Sequence, residues 1–219
     1  MYCVTQGFDN GRVSKLDPKK RASAQEILDA AALAFSERGF AATSIDDVAD
    51  VLGCTKGRIY HYFRTKGDLF IGIHHQALEW ALEAVQPPAE RDDIGPEEKL
   101  CEMVHQHAMH LMNRASYMGP AQMHIEVGLA AEGRHKDDAV ARIFEMRRQF
   151  EAYYTKVIED GIETGAFRDA DLNLLVKSTL GVVNWMHVWF QPDGPQDSDA
   201  ERHRIAAEIA EYAVRAVRV

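Results

Sequence analysis

Two short helices parted by a glycine turn, between Ser44 and Phe63, limit the folds open to this chain more than any other stretch. In Ser44–Leu52 the apolar residues Ile45, Val48, Ala49 and Leu52 recur at i, i+3, i+4 and i+7, which lines one face of a helix. Ser44 takes the N-cap place, and Asp47 three residues on is a near match to a capping box. Gly53 follows the last apolar position, where a helix end favours a residue tolerant of the left-handed backbone. Thr55 can then cap a second helix, Lys56 to Phe63, anchored by Ile59 and Phe63 four residues apart. That leaves positions 56, 57, 58, 61 and 62 facing largely outward. Helix, tight turn and short helix is the helix-turn-helix pattern.

The second helix carries Lys56, Arg58, Tyr60, His61 and Tyr62 on about two turns, short enough to enter a major groove end-on. Gly57 lowers helix propensity, so its presence suggests that a side chain there would meet something close, such as a DNA backbone. Lys66 begins the next helix, where a cation opposes the macrodipole. A phosphate approaching that helix N-terminus would account for it. The plainer alternative is a solvated surface helix with ordinary charges.

The stretch GFAATSIDDVADVLGCTKGRIYHYFRTKGDLF resembles the DNA-binding head of the TetR (tetracycline-repressor-like) family of transcriptional regulators. The matching positions are Gly39, Phe40, Thr43, Ser44, Ile45, Val48, Ala49, Gly53, Lys56, Gly57, Tyr60, His61, Phe63, Lys66 and Leu69. They fall within residues 22–72; the remainder matches only in length and helical pattern. Cys54 and the Gly67-Asp68 pair depart from the usual pattern without disturbing it. The resemblance implies a ligand-responsive regulator, most often a repressor, that binds a palindromic operator in double-stranded DNA as a homodimer. Lys56, Arg58, Tyr60, His61 and Tyr62 would enter the groove. Thr43, Thr55 and Lys66 would hold phosphates, which fix register without carrying sequence.

The whole chain of 219 residues carries a net charge of −9, which alone argues against nucleic acid. Its distribution argues otherwise. Residues 1–70 hold ten cationic and nine anionic side chains, a net +1, so the remainder carries −10. Cys3, Cys54 and Cys101 are scattered, without CxxC spacing, which fits a reducing cytoplasm and no disulfide framework. No apolar run resembles a signal sequence or spans a bilayer, so no membrane partner is expected. No GxSxG, HExxH or phosphate-loop motif is present, and no enzyme function or cofactor is expected.

No segment alternates with period two, and the fold expected is all-α: a three-helix helix-turn-helix head plus a larger helical ligand-binding and dimerisation domain, about nine helices. Residues 1–21 read as a flexible basic arm, either along phosphates or as a solvated tail, 22–67 as the DNA-binding domain and 68–219 as the ligand and dimer domain. Ser23, with Glu26, is expected to cap a helix to Arg38. A longer helix from Asp68 to about Val85 bears His74 and His75, read as solvent or interface groups. A loop follows over 86–98. The body is expected as helices over about 97–113, 116–131 (broken near Ala115–Pro120), 134–163, 172–190 (capped by Asp171) and 200–217.

Residues 101–125 are rich in methionine and histidine, and methionine suits pliable apolar surfaces. Met103, His107, His110 and Met123, with Phe144, Phe150, Tyr154 and Trp185, are candidates to line a pocket between helices. Plain core packing is the alternative. His107 and His110 at i, i+3 are compatible with a metal ligand pair, joined by His124 or Glu126, so a metal-responsive regulator is a rival reading. A helical protein-interaction module without DNA binding is another. Trp185, Trp189 and Phe190, with Val183, Ile209 and Tyr212, suit a subunit interface. The segment LGVVNWMHVWFQPDGP also resembles a W-x-x-x-W-[FY]-x-P-x-G ending found in TetR-like regulators of fatty-acid or sterol degradation. That likeness implies a bulky apolar carboxylate or its CoA thioester as effector.

Overall fold

The computed structural model describes residues 18–122, 138–194 and 197–219. Among them are ten helices and no strand: α1 (Pro18–Arg38), α2 (Ile45–Leu52), α3 (Lys56–Tyr62), α4 (Lys66–Ala89), α5 (Pro96–Asn113), α6 (Ala115–Gln122), α7 (Asp138–Glu163), α8 (Leu172–Asn184), the single-turn α9 (Met186–Trp189) and α10 (Asp199–Val217). An isolated antiparallel bridge joins Phe167 to Arg218. The chain divides into two compact units, Met1–Ala77 with Ser116–Glu145, and Leu78–Ala115 with Met146–Val219.

In the first unit, α1 begins at Pro18, not at Ser23. Proline's fixed φ suits the first helical position, and Lys19, Lys20 and Arg21 are good helix formers. The expected arm therefore loses its last residues, 18–21, to α1; residues 1–17 lie outside the described residues. α1 buries a broad alanine-rich face closed by Ile27, Leu28 and Phe35, and α2 packs against it. Phe35, Phe40 and Phe70 pack in sequence, the first pair edge to face and the second tilted, with centroids 5.2 and 4.6 Å apart. Val48, Ile59, Phe63, Leu69 and Ile73 are wholly buried, each contributing roughly 1.5–3 kcal/mol. Ile45 and Leu52 are only half-buried.

The helix ends follow the chemistry of their caps. The Ser44 amide and hydroxyl both donate to Asp47 Oδ2, and the Asp47 amide donates back to Ser44 Oγ. Gly53 closes α2 at φ 63°, its amide on Ala49 and Asp50 carbonyls. α4 starts at Lys66, ahead of Asp68, because Thr65 and Asp68 form a second reciprocal box. The Asp68 carboxylate accepts from the Arg64 and Thr65 amides, and Thr65 Oγ1 accepts from the Asp68 amide. α4 also runs into the expected loop, through Pro87 and Pro88 to Ala89. Proline φ is helical, and the final turn closes on Glu90 N–H to Gln86 O. His74 and His75 are buried, not solvent groups; His74 Nδ1 bonds Phe70 O at 2.9 Å.

Pro120 likewise sits inside α6, and the break before that helix falls at Arg114 alone. In the second unit α5 lies along α10 and also meets α8 and α9. Asp171 caps α8 by accepting from the Leu174 amide at 2.9 Å. The helix expected to continue to Phe190 is interrupted at Trp185 and resumes as α9. Among the described residues, no helix is long and apolar enough to cross a membrane.

Candidate DNA and effector sites

α3 is a seven-residue helix held from below by Ile59 and Phe63, both fully buried. That anchorage leaves Lys56, Gly57, Arg58, Tyr60 and His61 exposed and Tyr62 half-buried. His61 and Tyr62 meet edge to face at 5.0 Å. Thr55 takes the N-cap backbone position with its hydroxyl making no cap bond, so it remains on the surface beside the helix start. Among the described residues, a Cβ built on Gly57 would meet only Thr55 Oγ1, at 3.8 Å. Nothing among the described residues therefore demands glycine there.

The two cations of α3 are held by carboxylates of neighbouring helices. Lys56 Nζ lies 3.1 Å from Asp46 Oδ1 of α2, and that hydrogen bond lifts its pKa. Arg58 pairs with Glu26 of α1. Both acidic partners escape sequence reasoning, because pairing across 10 or 32 residues leaves no periodic mark.

Two residues expected on phosphates are otherwise engaged. Thr43 is 2 % exposed, and its hydroxyl sits on the carbonyls of Gly39 (2.8 Å) and Ala34 (3.2 Å). A side chain so enclosed reaches no phosphate; it fastens the turn after α1. Lys66 Nζ donates to Phe40 O at 2.8 Å and Ala41 O at 3.3 Å, and lies 4.5 Å above the Phe40 ring. These carbonyls account for a cation at a helix start without a phosphate.

In the second unit, Met103, His107, His110, Phe150 and Tyr154 are all buried. His107 Nδ1 and the Tyr154 hydroxyl are hydrogen-bonded at 3.0 Å, and Phe150 packs edge to face on the imidazole at 5.0 Å. Burial drives the His107 pKa down to about 3, helped by nearby His110, and pushes the Tyr154 phenol up. The pair is thus a neutral, apolar-walled polar spot. Phe144 is half-buried and belongs to the first unit. Trp185, expected in the pocket, is 62 % exposed. Met123, His124 and Glu126 lie outside the described residues. Among the described residues, no three His, Cys, Asp or Glu side chains converge as a metal site.

The candidate interface residues separate into two groups. Trp189, Tyr212 and Trp185 stand open to solvent, with Leu174 and Val188 beside them in the chain's exposed apolar set. Val183 and Phe190, expected with them, are instead buried in the subunit's own core. Phe190 shares an i, i+3, i+7 face with the buried Val183 and Met186, and its amide donates to Met186 O. Ile209 is half-buried.

A capped helix-turn-helix whose short second helix exposes cations and aromatics, joined to a helical body, defines a DNA-binding regulator. Residues 27–73 match the model of bacterial regulatory proteins of the tetR family, and residues 93–217 match the tetracyclin repressor-like C-terminal domain. The chain is 30% identical over 182 residues to the HTH-type transcriptional repressor KstR2 of Rhodococcus jostii, covering 77% of this chain and 80% of that one. The TetR-family regulator PfmR of Thermus thermophilus superposes with a TM-score of 0.74 at 27% identity, covering 86% and 97% of the two chains. AibR, solved with isovaleryl coenzyme A and operator DNA, shares the fold at a TM-score of 0.68 and 21% identity, over 89% and 97%.

The chain belongs to the TetR family. It is a DNA-binding transcriptional regulator that works as a homodimer and responds to a small molecule.

Proposed function

We propose that this protein represses transcription by presenting α3 of each subunit to one half of a palindromic operator, and is released by an acyl-CoA or related apolar carboxylate. The observation that carries the DNA reading is α3 itself: Lys56, Arg58, Tyr60 and His61 stand exposed on a helix whose inner residues Ile59 and Phe63 are fully buried. Tyr62 completes that surface, and Thr55 with the bare Gly57 offers close approach to phosphates. Two heads are needed, because one seven-residue helix makes few base contacts and operator symmetry mirrors protein symmetry. The exposed Trp185, Trp189 and Tyr212 supply an apolar surface for the second copy.

Relatives support the effector class. KstR2 is a repressor with which this chain shares 30% identity, and AibR was captured with an acyl-CoA thioester and its operator. The cluster of Met103, His107, His110, Phe150 and Tyr154 is the apolar region assigned to the acyl group. Such a ligand acts only by favouring the DNA-incompetent state. The reading places the protein in the cytoplasm, with its DNA, and gives it no catalysis, since its family is one of regulators.

The test has two arms. Purified protein selects duplexes from sheared genomic DNA, and the selected site is titrated by fluorescence anisotropy with rising salt. A palindromic site with a steep salt dependence is expected. A thermal-shift screen of acyl-CoAs, free acids and divalent metals follows. Stabilisation by acyl-CoA with loss of DNA binding supports the effector; failure to enrich any duplex rejects the DNA reading.

A further inference from the structure

In the free protein both cations of α3 are occupied by side chains of its own head: Arg58 by Glu26 on α1 and Lys56 by Asp46 on α2. All four side chains are solvent-exposed, between 40% and 64%, so DNA can reach and exchange every partner. We propose that Glu26 and Asp46 are specificity-determining residues: they hold Arg58 and Lys56 against non-specific phosphate contacts, and release them where a base edge competes. The proposal rests on the docking of α3 described above.

The competition decides the outcome. A surface ion pair is weak, and a lone phosphate contact in water is a comparable charge pair, so swapping one for the other gains little. A two-pronged contact from Arg to guanine is stronger than either. On random sequence the pairs therefore persist, and the two carboxylates remain near the DNA, repelling phosphate. On the cognate site Arg58 leaves Glu26 and the repulsion is outweighed. Non-specific binding is lowered more than specific binding. Glu26 sits on α1 and Asp46 on α2, so each cation is held by a different helix.

The proposal predicts that Glu26→Gln and Asp46→Asn each raise affinity for a short random-sequence duplex by about two- to fivefold. Affinity for the duplex that the wild type enriches from a random library changes less, so the specificity ratio falls. Asp50→Asn controls for net charge, since Asp50 is exposed on α2 and is not one of the paired carboxylates. It is expected to move random-duplex affinity less than either test variant. The proposal is overturned if Asp50→Asn matches them, if random-duplex affinity is unchanged, or if both duplexes gain equally. Arg58→Gln separates this failure from the larger one: if that change leaves both affinities intact, α3 is not the docking helix at all. All substitutions are at exposed positions, and an unchanged melting temperature confirms the fold in each.

Discussion

Gly57→Ala separates what the protein needs of α3 from what DNA needs. The added methyl meets only Thr55 Oγ1 at 3.8 Å, an ordinary van der Waals distance, so the free protein accommodates it without strain. Alanine also lowers the entropy of the unfolded chain, and stability should rise by about 0.5 kcal/mol. For a protein of this size that is a gain of one to two degrees in melting temperature, since about 1 kcal/mol corresponds to 2–4 °C. In the docking proposed above, the same methyl would occupy the gap through which a phosphate approaches. Forcing a methyl into a packed contact costs roughly 1–3 kcal/mol, and a dimer presents it twice. The expected loss of operator affinity is therefore at least about tenfold, where 1.4 kcal/mol is one decade. Calorimetry and fluorescence anisotropy on one preparation measure both quantities. A more stable variant with normal operator affinity would refute the close approach at Gly57. A less stable variant would refute the open space around it.

Lys66→Met removes the ammonium from the Phe40 and Ala41 carbonyls, and chemical denaturation should show a loss of about 1–2 kcal/mol. If Lys66 instead served only a phosphate, stability would hold and operator affinity alone would fall. His107 is neutral when folded, with a pKa of about 3 against an ordinary value near 6.5, so below pH 6.5 the unfolded chain binds the proton that the folded chain refuses. Stability from this group is complete above that pH and declines by about 1.4 kcal/mol per unit as pH falls toward 3. His107→Gln should flatten the dependence between pH 6.5 and 5, and an unchanged slope in urea titrations would show that other groups set it. Trp189→Ala, at a side chain 41 % exposed, should raise the dimer dissociation constant tenfold or more by sedimentation, whereas an unaltered constant would place the interface elsewhere.

The turn between α2 and α3 was legible because its determinants are local. Ser44, Asp47 and Gly53 act within one helix, and their spacing in the chain is their spacing in space. The same local reasoning misplaced the start of α1, since Ser23 and Glu26 imitate a capping box while Pro18 and the lysines after it already form the helix. Pro87, Pro88 and Pro120 were read as interruptions, yet each lies in a helix; proline marks a missing donor, and a helix survives that where its neighbours close the turn. The family resemblance points Thr43 and Lys66 to phosphate, and for Lys66 so does a cation's place at a helix start. Their partners are carbonyls of the turn after α1, brought near only by folding. Of the interface candidates, Val183 and Phe190 lie in the subunit's own core. Val183, Met186 and Phe190 fall at i, i+3 and i+7 on one face, and the subunit's own core covers that face.

The grip of Lys66 on the bend after α1 gives α4 a mechanical meaning. α4 is a 24-residue rod of about 36 Å that begins in one compact unit and ends in the other. A helix has little capacity to absorb torsion along its length, and this one is fastened at its first residue to the carbonyls of Phe40 and Ala41. Releasing Lys66 would free both carbonyls and loosen that bend, and with it the two helices that the bend joins.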